Sequence, residues 1–254
     1  MLNFVKEGKA VPVESEWKEK IHQQLTWQYP HRHATLKHSK QSVSDLKRLW
    51  EARDSESGID LIRSFPRPIT TRPKFLQEQA LTPQEKGTAM HIVMQHLDFS
   101  IEPTKASLAE QVHLLEEKEL LTAEEASSID IEGILGFFET EIGTRIRNAR
   151  WLKREIPFSL AMNPQDIYTD WEGEDDTVFI QGIIDCLFED DEGFVLLDYK
   201  TDQITGRFPQ GFEQARPVLL KRYQTQITLY RKAVEAILKR KVDASYLFFF
   251  DGSH

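Results

Sequence analysis

The chain has 254 residues, of which 40% are hydrophobic and 10% aromatic, and 41 acidic against 32 basic residues leave a net charge of −9. That content supplies a core and excludes wholesale disorder, while no apolar run approaches the roughly 18 residues of a membrane helix. The single Cys186 excludes an internal disulfide, a multi-cysteine zinc site and a cysteine-ligated iron–sulfur cluster, and an acidic total is the reverse of what a free-standing nucleic-acid binder carries.

Residues 1–40 read as a peripheral linker or docking arm. Trp17, Ile21, Leu25 and Trp27 suggest a short amphipathic piece, followed by a polar basic stretch from His31 to Lys40. The first 20 residues lack the apolar h-region of a secretory signal, so the expected setting is reducing and cytoplasmic. Ser42-Val43-Ser44-Asp45 is a capping box that opens a helix to about Ala52. Residues 55–80, with Pro66, Pro68 and Pro73, read as irregular. Thr82-Pro83-Gln84-Glu85 is a second capping box with Pro at the first helical position, and predicts a helix to about Leu97. Three or four short helices are expected over 105–150, one opened by Thr122-Ala123-Glu124-Glu125.

The texture then changes to strands: 153–161, then 177–188 and 194–199 joined by a turn. A long amphipathic helix is predicted over Val218–Arg240, with Tyr223, Ile227, Tyr230, Val234 and Ile237 on one stripe. The apolar run 244–250 reads as a buried strand. Helices followed by β-β-β-α-β imply an α/β fold with a mixed sheet and helices on its faces. The acidic runs 172–176 and 189–192 read as solvated turns.

Chemistry concentrates in Gly182-Ile183-Ile184-Asp185 and Asp198-Tyr199-Lys200-Thr201. Side chains alternate along a strand, so Asp198 and Lys200 share a face, and a hairpin brings Asp185 beside Asp198. Two adjacent carboxylates need a cation or a shared proton. Hard oxygen ligands suit Mg²⁺ or Mn²⁺, and a lysine two residues on can steady charge developing on a phosphate. The flanking Ile183, Ile184, Val195, Leu196 and Leu197 set these charges near a core, unlike an ordinary surface D-x-K pattern. Gln226 and Tyr230 are four apart on one helical face, although Tyr230 also fits the core stripe. His91 borders the stripe Met90, Val93, Met94 and Leu97, and Gly87 one turn earlier leaves room for a neighbour. As a neutral imidazole His91 is a possible metal ligand, and it is equally a possible structural histidine.

Gly87-x-x-x-His91, Gly182-x-x-Asp185, Asp198-Tyr199-Lys200-Thr201 and Gln226-x-x-x-Tyr230 together resemble the RecB-like branch of the PD-(D/E)XK nucleases. The spacing is 94 residues from His91 to Asp185 and 13 more to Asp198. Within that branch the chain is similar, over residues 40–254, to the nuclease domains of A subunits of AddAB-type helicase–nucleases. The lone cysteine fits the A rather than the B subunit, whose nuclease domain carries a four-cysteine cluster.

The resemblance implies a restriction-endonuclease-like core of order αβββαβ, a nuclease domain over 41–254 and a helical insertion at about 100–150. It implies Mg²⁺ or Mn²⁺ held by His91, Asp185, Asp198 and the carbonyl of Tyr199. Lys200 would orient the attacking water, Gln226 and Tyr230 would position DNA and buttress the site, and Glu155 would support it. Lys221 and Arg222 are expected to contact DNA, and the basic residues Arg145, Arg147, Arg150, Lys153 and Arg154 are a second candidate track. No G-x-x-x-x-G-K-[ST] motif is present, so ATP would belong to a helicase portion outside this sequence, with residues 1–40 as its linker. The implied activity is 3′→5′ single-strand cleavage at DNA ends for Chi-regulated repair, with an AddB-type partner. Two alternatives stay open at this stage: a catalytically silent docking platform of the same fold, and a stand-alone Cas4-like nuclease.

Overall fold

The computed structural model describes residues 17–29, 31–54, 81–171, 173 and 176–253. The irregular segment 55–80 and most of the acidic run 172–176 expected above lie outside the described residues. Two compact units divide the chain, one formed by Met1–Ser39 with Asn163–Thr177, the other by Lys40–Met162 with Val178–His254.

The smaller unit carries helices α1 (Trp17–Thr26) and α2 (Arg32–Thr35) and a 3₁₀ turn at Pro164–Asp166. Inside it, the Tyr168 hydroxyl donates to the His38 carbonyl at 2.9 Å, and Lys37 pairs with Asp170. The amphipathic stripe is real but unburied: Trp17, Ile21 and Leu25 on α1 are exposed.

The larger unit begins with strand β1 (Lys40–Ser42) and helix α3 (Val43–Asp54). The Ser42 hydroxyl accepts from the Asp45 N–H at 3.0 Å, which caps α3 as its sequence requires. Helix α4 (Pro83–His96) starts at the reciprocal box of Thr82 and Glu85. Four shorter helices follow, α5 (Lys105–Glu117), α6 (Ala123–Ser127), α7 (Ile131–Glu139) and α8 (Glu141–Arg147). Strands β2 (Trp151–Met162), β3 (Val178–Asp190) and β4 (Gly193–Lys200), helix α9 (Phe212–Leu238) and strand β5 (Ala244–Phe249) complete it.

The sheet is mixed and five-stranded. β2 runs antiparallel along one edge of β3 from Trp151↔Glu189 to Met162↔Val178. That leaves the opposite edge of β3 to two partners. β1 pairs parallel with Phe179–Gln181, and β4 pairs antiparallel from Asp190↔Gly193 to Cys186↔Leu197. Residues 182–185 therefore face neither strand and line a fork between β1 and β4. β4 continues past the fork by pairing parallel with β5 as far as Lys200↔Phe249.

One sheet face, with Cys186, Phe188, Val195, Leu197, Tyr199, Phe248 and Phe250, packs under α4–α8. On the other, Leu219 and Ala215 of α9 pack against Phe249 and Ile204. The order around the core is αβββαβ with helices on both faces, a restriction-endonuclease-like fold.

Three expectations need correction, and one strand, β1, has no counterpart among them. α9 starts six residues early, with Pro217 inside it. Packing of Ala215 and Leu219 outweighs the one hydrogen bond that Pro217 removes. β1 escapes notice because three polar residues carry no alternation. The run 189–192 is a solvated turn only at Asp191 and Glu192; Glu189 and Asp190 belong to β3, where Asp190 is buried against Arg145 at 2.7 Å and Glu189 pairs with Arg240. The basic track before β2 is similarly engaged: Arg147 pairs with Glu102 and Arg150 donates to the Asp190 carbonyl.

Candidate active site

The site grows out of the fork. Gly182, on its floor, has no room for a side chain: an added Cβ would lie 2.7 Å from Phe158 and 3.1 Å from Val43. The backbone of β3 is thereby drawn close to the start of α3, and Asp185 falls where the β3–β4 ladder stops. Its carboxylate takes over the ladder's role, accepting the N–H of Tyr199 at 2.7 Å. N–H and C=O of one strand residue point to the same side, so the Tyr199 carbonyl faces the same unpaired edge. The next residue turns the other way, since the Lys200 carbonyl accepts from Phe250.

α4 brings His91 to this point. Its Nδ1 lies 3.5 Å from Asp185 Oδ2 and 3.8 Å from Glu155 Oε1. Together the three residues present ligand atoms all within 4.8 Å of one another. Helix approach is close because Gly87 meets Thr201, whose hydroxyl would sit 2.8 Å from an added Cβ. The neighbour that Gly87 makes room for is thus the end of β4.

Glu155 was legible only as a supporting carboxylate, yet it is a full member of this group. Its backbone φ is +51°, in the left-handed region that a glutamate rarely adopts. The β2–β3 ladder runs on both sides of it and breaks at Glu155 opposite Asp185. Such strain costs of order 1–3 kcal/mol and is retained where the surrounding fold dictates it. Arg154, beside it, donates to the carbonyls of Met94 (2.9 Å) and Leu97 (2.6 Å), closing the C-terminal end of α4. No sequence pattern singled out that clamp.

Asp198 lies deeper, 1% exposed, and ion-pairs with Lys200. Gln226 Nε2 donates to Asp198 Oδ1 at 3.3 Å and to the Tyr230 hydroxyl at 3.0 Å. Tyr230 answers both sequence readings, being buried with its ring edge-on to Phe158 while its hydroxyl reaches the polar cluster. The carboxylate of Asp198 belongs to this lysine pair and is not in the His91–Glu155–Asp185 group. Arg222 pairs with Asp202 at 2.9 Å, and Lys221 next to it is exposed.

Electrostatics follow from burial. Loss of water pushes the Asp198 carboxyl up to about 6, the Asp185 charge adds to this, and Lys200 opposes it. Burial works against a charged His91, but the carboxylates of Asp185 and Glu155 outweigh it and raise the imidazole above its ordinary value. Burial and the neighbouring aspartates raise the Tyr230 phenol, which stays protonated as a hydrogen-bonding group. An imidazole and two carboxylates with ligand atoms within 4.8 Å of one another form a donor set suited to a divalent cation.

The family model for the PD-(D/E)XK nuclease superfamily matches residues 65–253. Over its full length the chain is 43% identical to a protein of Bacillus cytotoxicus and 44% identical to one of Bacillus anthracis. Both are named as A subunits of an ATP-dependent helicase/nuclease. The chain covers 20% of the length of either, so it spans about a fifth of the curated relatives it matches.

Proposed function

The chain belongs to the PD-(D/E)XK nuclease superfamily, and from that premise we propose that it is the metal-dependent DNA-cutting domain of an AddA-type helicase/nuclease. The observation that carries this reading is the convergence of His91, Glu155 and Asp185 within 4.8 Å, beside the Asp198–Lys200 pair, at the open fork of the sheet. A docking platform would have no use for a strained glutamate there.

In this reading His91, Asp185 and Glu155, with the Tyr199 carbonyl, would hold Mg²⁺ or Mn²⁺, and Asp198 serves the lysine beside them. When bound, such an ion supplies positive charge at the scissile phosphate and lowers the pKa of water. Lys200 presents its ammonium to the phosphoryl oxygens and to the attacking water, worth most in a site this dry. Asp198 fixes the Lys200 ammonium. Gln226 fixes Asp198, and Tyr230 fixes the amide of Gln226. Glu155 and Asp185 hold the His91 ring in place.

The substrate follows from the relatives: a DNA strand delivered by a helicase motor carried elsewhere in such proteins, where ATP is used. We assign to it 3′→5′ single-strand cleavage at processed ends, Chi-regulated recombinational repair in the cytoplasm, and an AddB-type partner. Residues 1–40 serve as the link to the motor, and residues 41–254 as the nuclease domain. Among the described residues no helix is long and apolar enough to cross a membrane.

The test is cleavage of 5′- and 3′-labelled single-stranded DNA with Mg²⁺. Lys200→Ala and Asp198→Ala should lose cleavage while keeping the circular dichroism of the parent. Full activity in either variant refutes the site, and shortening from the 5′ end alone refutes the polarity.

A further inference from the structure

One face of the β2–β3 ribbon ahead of Asp185 is left bare. Its reverse meets α9 through Phe158, whose ring stands edge-on to Tyr230. An added Cβ at Gly182 would point the same way, at Phe158 and Val43. Side chains alternate along a strand, so Phe179 and Ile183 point away from α9. They are 47% and 50% exposed, while Val178, Ile180 and Ile184 beside them are buried. Pairing sets Ala161 beside Phe179 and Pro157 beside Ile183, both exposed. On the other side of β3, Lys40 is in register with Phe179 and is exposed too, while its neighbour Gln41 is buried beside Ile180. Helices α4–α8 cover β3 only farther on, at Cys186 and Phe188.

A lone exposed apolar residue is ordinary, but here a phenyl ring, an isoleucine, a proline and an alanine share one open face with a lysine. What the strip leads to sets its occupant. Ile183 precedes Asp185 by about 7 Å of strand and Phe179 by about 20 Å. At a stacked rise of about 3.4 Å per nucleotide, that length takes up to about six nucleotides. A ring beside a cation suits an unpaired strand: the ring stacks on a base of any identity, and the ammonium meets a phosphate next to it. Bases inside a duplex are already stacked on one another and offer the ring no face, so such a strip favours a single strand.

We propose that the bare β2–β3 face is a base-stacking platform for the single strand that enters the site. Phe179 is its ring, Ile183 its apolar step next to Asp185, and Lys40 its phosphate contact. The platform rests on the nuclease reading for its substrate and deepens it, because it names unpaired bases as what is held. It places DNA contacts on β1 and β3, away from the expected contacts Lys221 and Arg222 on α9.

The experiment is binding of a fluorescein-labelled oligo-dT to the whole chain in chelator, followed by anisotropy across a salt series. Phe179→Ala should raise Kd about tenfold at every salt concentration, because stacking releases no counterions and the slope of log K against log salt is kept. Phe179→Trp should bind at least as tightly as the parent. Lys40→Met should flatten the slope by about 0.7, one single-strand phosphate contact. On an oligomer of abasic sites the parent and Phe179→Ala should bind alike. Leu114→Ala, at an exposed apolar residue of α5, is the control. Absent binding by the parent, an unchanged Kd in Phe179→Ala, the same loss on the abasic oligomer, or an equal loss in Leu114→Ala overturns the platform, and the face then falls to a protein surface. An unchanged slope in Lys40→Met overturns the lysine's share in it. Cleavage in Mg²⁺ by the parent scores the nuclease reading separately: a chain that binds with a Phe179-dependent Kd yet never cuts overturns that reading and not the platform.

Discussion

Arg154→Met tests whether the metal-binding geometry depends on the end of α4. The guanidinium donates to the Met94 and Leu97 carbonyls and sits 4.5 Å from the centre of the Phe99 ring. Hydrogen bonds from a charged donor contribute about 1.5–3 kcal/mol each, and the ring contact about 0.5–2 kcal/mol. Methionine keeps the apolar stem, and the cleft lined by His96, Asp98 and Arg147 lets water reach the freed carbonyls. The lower ends therefore apply, and the loss is about 3.5 kcal/mol. For a unit of this size that is a fall in Tm of about 7–14 °C. The change also reaches the site. Met94 lies three residues after His91 on α4, and Arg154 precedes Glu155 on β2, so the clamp ties two of the three converging ligands to each other. Removal of such an orienting partner costs about 10–100-fold in metal affinity. Thermal melts followed by circular dichroism and calorimetric titration with Mn²⁺ read the two effects. A variant that melts within about 2 °C of the parent and binds Mn²⁺ as tightly refutes the clamp.

Three further outcomes are expected. Asp198 has a folded-state pKa raised from 3.8 to about 6, so the stability due to its proton is present below about pH 4 and is lost as pH rises through 6. In chelator, the parent should lose Tm across that window relative to Asp198→Asn, and parallel curves would refute the assignment. Gly182→Ala drives a methyl against Phe158 and Val43, at a cost of about 1–3 kcal/mol by urea unfolding, and a neutral result would mean the fork closes without that contact. Glu155→Gly relieves a positive φ while removing a carboxylate. It should leave Tm equal or higher and weaken Mn²⁺ binding at least tenfold, and tight binding would remove Glu155 from the donor set.

What was legible in the sequence had local causes. Capping boxes at Ser42, Thr82 and Thr122 act within one turn, and each opens a helix where it was expected. The hairpin from β3 to β4 and the D-x-K alternation act within one strand pair, which is why Asp198 and Lys200 are found together. What was not legible depends on distant partners. β1 exists because Lys40–Ser42 meets Phe179–Gln181 across nearly 140 residues. Glu155 joins His91 through a backbone conformation that no residue pattern encodes. Arg154 and Lys153 look alike in a basic run, and only the fold sends one of them into the carbonyls of α4.

The fork explains why these separate elements can make one site. A fully paired sheet would satisfy Tyr199 by a strand partner and leave Asp185 to find its own. Here β3 is shared between β1 and β4, and the interval between them is filled by a carboxylate accepting a backbone N–H. That arrangement holds Asp185 without consuming a lysine or arginine. Lys200 is therefore left to Asp198, and the aspartate nearest His91 keeps a second oxygen free of any strand bond. Lengthening β1 to cover residues 182–185 would pair the edge on which Asp185 meets Tyr199, so the shortness of β1, three residues in all, is what keeps the fork open.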